Sequence, residues 1–140
     1  MNLVDALLTA DTSKLTTKET TKLEIPRLTK ALGIPFIMTL QAIAPRRMDE
    51  INEIAIKMTR NGRYQGVDLT KMHELVLCEG IIDPPLNGEV QKKFKAATPA
   101  DLVNKLFNAG EINKIFNAIQ KLSGNVDEEE EAAQKDEVKN

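Results

Sequence analysis

The stretch from Thr98 to Gly124, TPADLVNKLFNAGEINKIFNAIQKLSG, constrains the fold of this chain more than any other. Thr98 suits an N-cap. Pro99 suits the first helical position, and Asp101 falls three residues after the cap, where a capping-box acceptor belongs. Leu102, Val103, Leu106 and Phe107 then recur at steps of three and four, the spacing of one helix face. Asn108-Ala109-Gly110 ends that helix, with Gly110 supplying the conformational freedom a helix C-terminus wants. A second helical stripe follows at once: Ile112, Ile115, Phe116, Ile119 and Leu122, stopped by Ser123-Gly124. The pattern predicts two amphipathic helices joined as an antiparallel hairpin. Two of the four Phe residues lie here, so a core or a partner's groove is expected at this place.

Composition narrows the class around that hairpin. Apolar residues make up 41% of 140 residues, enough for a real core in one domain, but aromatics are only 4% and Trp is absent. The core must therefore be aliphatic, which suits packed helices better than an aromatic-rich sandwich. No apolar run approaches the roughly 20 residues of a bilayer span. The N-terminus, MNLVDALLTAD, lacks the basic and long apolar regions of a secretory signal. A single cysteine, Cys78, precludes an internal disulfide framework and fits a reducing compartment. The net charge of -2 is uneven: Gly124–Asn140 holds seven acids, including Glu128–Glu131, against two bases. The remaining body is mildly basic, short of the dense basic stripe of a DNA-binding domain.

Along the chain, Asn2 can cap a short helix whose apolar face is Leu3, Val4, Leu7 and Leu8. Residues 12–22 are rich in Thr and Lys and read as an arm, so that helix is free to dock on a partner. Leu23–Ile25 and the period-two run Phe36, Met38, Leu40, Ala42 predict two antiparallel strands, with a small helix from Pro26 to Gly33 between them. Pro45 opens a helix with Met48, Ile51, Ala55 and Met58 on its buried stripe, and Arg46–Glu50 and Glu53–Lys57 as surface pairs. Asn61–Gly66 reads as a turn. Asp68 caps a helix with Leu69, Met72, Leu75 and Val76 inside and Gly80 at its end. Ile81-Ile82 read as apolar anchors before the extended Pro84-Pro85, and Asn87 caps a helix with Val90 and Phe94 inside. The predicted fold is a mainly α domain of about five to seven helices, with a short N-terminal two-stranded β element and a C-terminal helical hairpin. Its divisions are an N-terminal helix and mobile arm (1–22), a helical domain (23–124) and a disordered acidic tail (125–140).

Chemistry is sparse. His73 is the only histidine, and Cys78 lies five residues on, about 140° around an ideal helix, so no nucleophilic pair forms locally. One His and one Cys do not make a structural zinc site, and Asp49 with Glu53 sits among Arg and Lys as an ion-pair face. The Glu128–Glu131 run lacks the spacing and Gly of a calcium loop, and nucleotide and nucleophile-elbow fingerprints are absent. No catalytic, cofactor-binding or metal-binding residue is predicted, and the chain does not read as an enzyme.

Three blocks carry a family likeness: LVLCEGIIDPPL (Leu75–Leu86); Lys93-Phe94 with ATPADLV (Ala97–Val103); and LFNAGEI (Leu106–Ile112) with the closing KLSG (Lys121–Gly124). LGIPF (Leu32–Phe36) and the Leu3–Leu8 helix add to them. With these the chain resembles the XkdN-like tail assembly chaperones of PBSX-type prophages in Gram-positive bacteria. The resemblance spans most of residues 1–124, and its motifs are structural rather than catalytic. It implies a non-enzymatic chaperone in the cytoplasm of the bacterial host, absent from the finished virion. Such a chaperone binds the tape measure protein, keeps it soluble and helps recruit tail tube subunits. Many such phages also make a longer, frameshifted product, and a chain ending in this acidic tail would be the unshifted form. Leu106, Phe107, Ile112 and Phe116 are the candidate partner-binding residues. The competing readings are a structural tail or head–tail component, and a nucleic-acid-associated regulator using Arg46, Arg47, Lys57, Arg60 and Arg63.

Overall fold

A computed structural model describes residues 2–58 and 60–125. The acidic run Glu128–Glu131 and the tail expected to be disordered lie outside the described residues, apart from Asn125. The described chain begins with α1 (Leu3–Thr9), capped by the Asn2 side chain, which accepts from the Asp5 N–H at 2.8 Å. A short helix, α2 (Thr12–Thr16), follows under an Asp11 cap. Strand β1 (Thr20–Glu24) then leads into α3 (Pro26–Leu32), which Gly33 ends at φ +75° with its N–H on the Thr29 carbonyl. The stretch 12–22, read as an arm, thus holds one short helix and the first half of β1.

Strand β2 (Ile37–Gln41) pairs antiparallel with β1, Leu23 opposite Met38. Its period-two face is where the alternation puts it: Met38 and Leu40 are buried, Phe36 and Ala42 half-buried. Next come α4 (Pro45–Ala55), β3 (Ile56–Met58), β4 (Tyr64–Val67), α5 (Leu69–Gly80) and β5 (Ile81–Asp83). The described residues close with α6 (Glu89–Lys93), α7 (Pro99–Leu106) and α8 (Ala109–Leu122). Strand β5 joins the free side of β2, so the main sheet runs β1-β2-β5, while β3 and β4 form a separate antiparallel hairpin.

This corrects the mainly α class. Among the described residues there are eight helices and two small sheets, 56% helix and 16% strand, and the fold is mixed α/β with a sheet built into the body. Two features account for the difference. The partner of Ile81–Asp83 lies about forty residues upstream, so nothing local distinguishes a third strand from an apolar anchor. In α4, the stripe Met48, Ile51, Ala55, Met58 keeps helical spacing, yet the helix stops at Ala55. The β-branched Ile56 turns extended instead, its N–H accepted by the Asn52 carbonyl, and Met58 points from a strand into solvent rather than into the core.

One helix organises the interior. Val76 and Leu77 of α5 are fully buried, and α4, α7 and α8 all pack against α5. Leu102, Val103 and Phe107 come from the α7 stripe, Ile115 and Ile119 from α8, and Met38, Leu40 and Ile81 from the sheet. The C-terminal pair is therefore less a self-contained hairpin than two helices laid on α5, which pack far less on each other. Gly80 explains the closeness of α8. A Cβ built on it would stand 2.5–2.9 Å from three side-chain atoms of Ile119, so only glycine lets the end of α5 meet that helix. Leu69, assigned inside by its spacing, is exposed, and Leu77 takes its place in the core.

Candidate partner-binding surfaces

The turn between α7 and α8 is held by polar contacts rather than by a glycine. Gly110 lies inside α8, and α7 ends instead with Phe107 in extended backbone. Asn108 caps α8: its Oδ1 accepts from the Glu111 N–H at 2.9 Å, and Glu111 Oε1 accepts from the Asn108 N–H at 2.9 Å. Arg27 of α3 clamps this turn to the body. Its Nε donates to Glu111 Oε2 at 2.9 Å, and its Nη2 donates to Glu111 Oε1 at 2.8 Å and to the Leu106 carbonyl at 2.7 Å. The Arg27 guanidinium, with help from the Asn108 N–H, holds the Glu111 carboxyl below the usual glutamate range despite its partial burial. Sequence spacing gave no hint of Arg27, whose partner lies 84 residues away. At the other end of α7, Thr98 Oγ1 accepts from the Asp101 N–H at 3.1 Å, and the Asp101 carboxylate accepts from the Ala97 N–H rather than from the cap residue itself.

This scaffold places the four candidate contact residues differently. Phe107 is buried in the core, whereas Leu106, Ile112 and Phe116 are half-buried and packed against it. Ile112 lines a groove of about 290 Å³ between α5, α7 and α8, together with His73, Glu74, Val103, Asn104 and Asn113. Phe116 meets the His73 ring edge-on, with centroids 4.6 Å apart. Asn104 Nδ2 donates to Glu74 Oε1 at 2.9 Å across the groove. The groove therefore combines apolar lining from Val103, Ala109 and Ile112 with the polar side chains of His73, Glu74, Asn104 and Asn113.

Two further apolar surfaces face solvent. Leu3, Val4, Leu7 and Leu8 of α1 are 63–83% exposed, so the stripe legible in the sequence has no cover. On the second, the cross-strand partners Ile56–Val67 and Met58–Tyr64 put four large side chains on one face of the β3–β4 hairpin, each 39–66% exposed.

The remaining chemical groups are dispersed. Cys78 is half-buried, and burial, followed by the nearby Glu74 and Glu79 carboxylates, pushes its thiol up to about 11. The surface pairing on α4 uses Arg47, which reaches Glu50 at 3.0 Å and Glu79 at 3.5 Å, rather than Arg46. Lys57 leaves that helix for β3, so its helical pairing with Glu53 does not form. Among the described residues no group of three or more His, Cys, Asp or Glu is placed to hold a metal, no polar or charged residue is fully buried, and no helix is long and apolar enough to cross a membrane.

The crystal structure of the protein YqbN superposes with a TM-score of 0.56 over 83% of this chain and 98% of that one, at 17% sequence identity, a likeness of fold. No curated protein matches the chain. A family model described as phage XkdN-like tail assembly chaperone protein matches residues 4–139, which takes in the blocks around Leu75–Leu86 and Leu106–Ile112 as well as the exposed α1. A match over nearly the whole length places the chain in the family of XkdN-like phage tail assembly chaperones.

Proposed function

We propose that the chain acts without catalysis, in the cytoplasm of the bacterial host, by binding the tape measure protein and keeping it soluble while tail tube subunits are recruited. The observation that carries this reading is the family match over residues 4–139, which supports a role in tail assembly with protein partners. A long helix-rich partner exposes apolar faces until the tube covers them, and a chaperone needs an apolar groove to cover those faces in the meantime. The groove between α5, α7 and α8 suits one face of such a helix. In this reading Ile112 makes the contact within the groove, the half-buried Leu106 and Phe116 extend it from beside the groove, and Phe107 supports it from inside the core.

The test is co-expression with a tape measure protein, followed by pull-down and a solubility assay. Partner solubility and co-purification that depend on this chain are the expected result. Ile112→Ser and Phe116→Ser are expected to weaken capture while leaving the fold intact by circular dichroism. An equally insoluble partner with no complex formed would overturn the reading, and recovery of the chain from purified particles would favour a structural tail component instead.

A further inference from the structure

The exposed α1 stripe and the exposed hairpin face match each other. A seven-residue helix is about 10 Å long, and three to four strand residues span about the same length, so α1 and the β3–β4 face are commensurate. Their charges are opposite. Residues 2–11 contain Asp5 and Asp11 and no base; residues 56–67 contain Lys57, Arg60 and Arg63 and no acid. An isolated two-stranded hairpin is marginally stable at best, so covering its apolar face would stabilise it. Within one chain neither covers the other, since both remain solvent-exposed.

We propose that the partner of each is a second copy of this chain: α1 of one copy lies across the Ile56, Met58, Tyr64, Val67 face of the next. Leu3, Val4, Leu7 and Leu8 supply the apolar contact, and Asp5 and Asp11 approach the basic hairpin. The contact is heterologous, helix to hairpin, so two copies can exchange helices reciprocally or further copies can add in line. This interface is separate from the α5–α7–α8 groove, so it stands or falls independently of tape measure binding.

Sedimentation velocity on the full chain over a wide concentration range tests it, with Leu8→Glu and Met58→Glu as variants. Neither side chain belongs to the core, so the circular dichroism and melting temperature of both variants should match the unmodified chain; Tyr64→Asp serves in place of Met58→Glu if that hairpin variant melts early. The unmodified chain is expected to rise above its 15.6 kDa monomer mass with concentration. Each variant alone should associate roughly tenfold more weakly or worse. Mixing the two variants should restore a one-to-one complex, because one contributes an intact hairpin and the other an intact helix. A chain that stays monomeric throughout overturns the proposal, as does association that survives both substitutions. Failure of the mixture to recover also overturns it, because that outcome belongs to helix-to-helix or hairpin-to-hairpin pairing.

Discussion

At Gly80 and Ile119 a single hydrogen atom decides how closely α5 and α8 approach. Gly80→Ala gives the helix a better helix former but drives a methyl into a buried, β-branched side chain. Overpacking of that kind costs about 1–3 kcal/mol, and denaturant unfolding should show a loss in this range. Ile119→Val removes the methyl nearest the new Cβ, so the double variant should lose less than the two single changes together. Phe107 and Phe116 separate in the same experiment. Phe107→Ala empties a buried site and should cost about 3–5 kcal/mol. The half-buried Phe116 has a solvated edge, and truncating it should cost distinctly less. Cys78 offers a test by pH. Its thiol is pushed up to about 11, so at neutral pH it stays protonated and should react slowly with thiol reagents until the pH climbs toward that value. The sign for stability is equally definite. The unfolded chain ionises this thiol at the ordinary, lower value, so the stability gained by keeping it neutral is complete below the ordinary cysteine range. It is lost as the pH rises from there through about 11.

At the level of elements, the α7–α8 turn rests on a reciprocal cap plus a clamp from α3. Asn108→Ala removes the cap acceptor and should cost about 1 kcal/mol in thermal or chemical unfolding. The clamp can be titrated. Arg27 lowers the Glu111 pKa, so its contribution is complete above the ordinary glutamate range and vanishes as the pH falls through the lowered value. The stability gap between the unmodified chain and Glu111→Gln should therefore close on acidification, read as converging melting temperatures. These elements also show what a sequence makes legible. The stripes of α7 and α8 and the alternation of β2 were readable because each repeats within one element and is enforced by burial on one side. The cap at Thr98 was readable for the same local reason. Strand β5, the Arg27 clamp and the close approach at Gly80 were not, because each is defined by a partner between about forty and 84 residues away. The end of α4 was misread for another reason: Met58 kept the helical period while the backbone had already turned to strand at Ile56. Of the candidate contact residues, the period identified the apolar face correctly but did not tell the buried Phe107 from the half-buried Ile112 and Phe116.

For the described molecule, burial falls from a core shared by α4, α5, α7, α8 and β2 to the exposed α1. Val76 and Leu77 have no exposure, whereas the α1 side chains touch almost nothing of the body. Amide exchange should follow that gradient, slowest in the second half of α5 and fastest in α1. Protection in α1 comparable to α5 would show that the helix is covered. The position of α8 has a further consequence, for the order in which the molecule can be completed. Ile115 and Ile119 fill the interior beside α5, and Ser123 Oγ accepts from the Ile43 N–H at 2.9 Å, tying the last helix to the end of β2. The β1–β2 pair, linked through α3, can form from residues close in sequence, but β2 must wait for β5, and the body stays open on one side until residues 109–123 arrive. During synthesis from the N-terminus the described body therefore keeps an unsealed apolar interior until α8 has been made, and is itself, for that interval, a chain in need of cover.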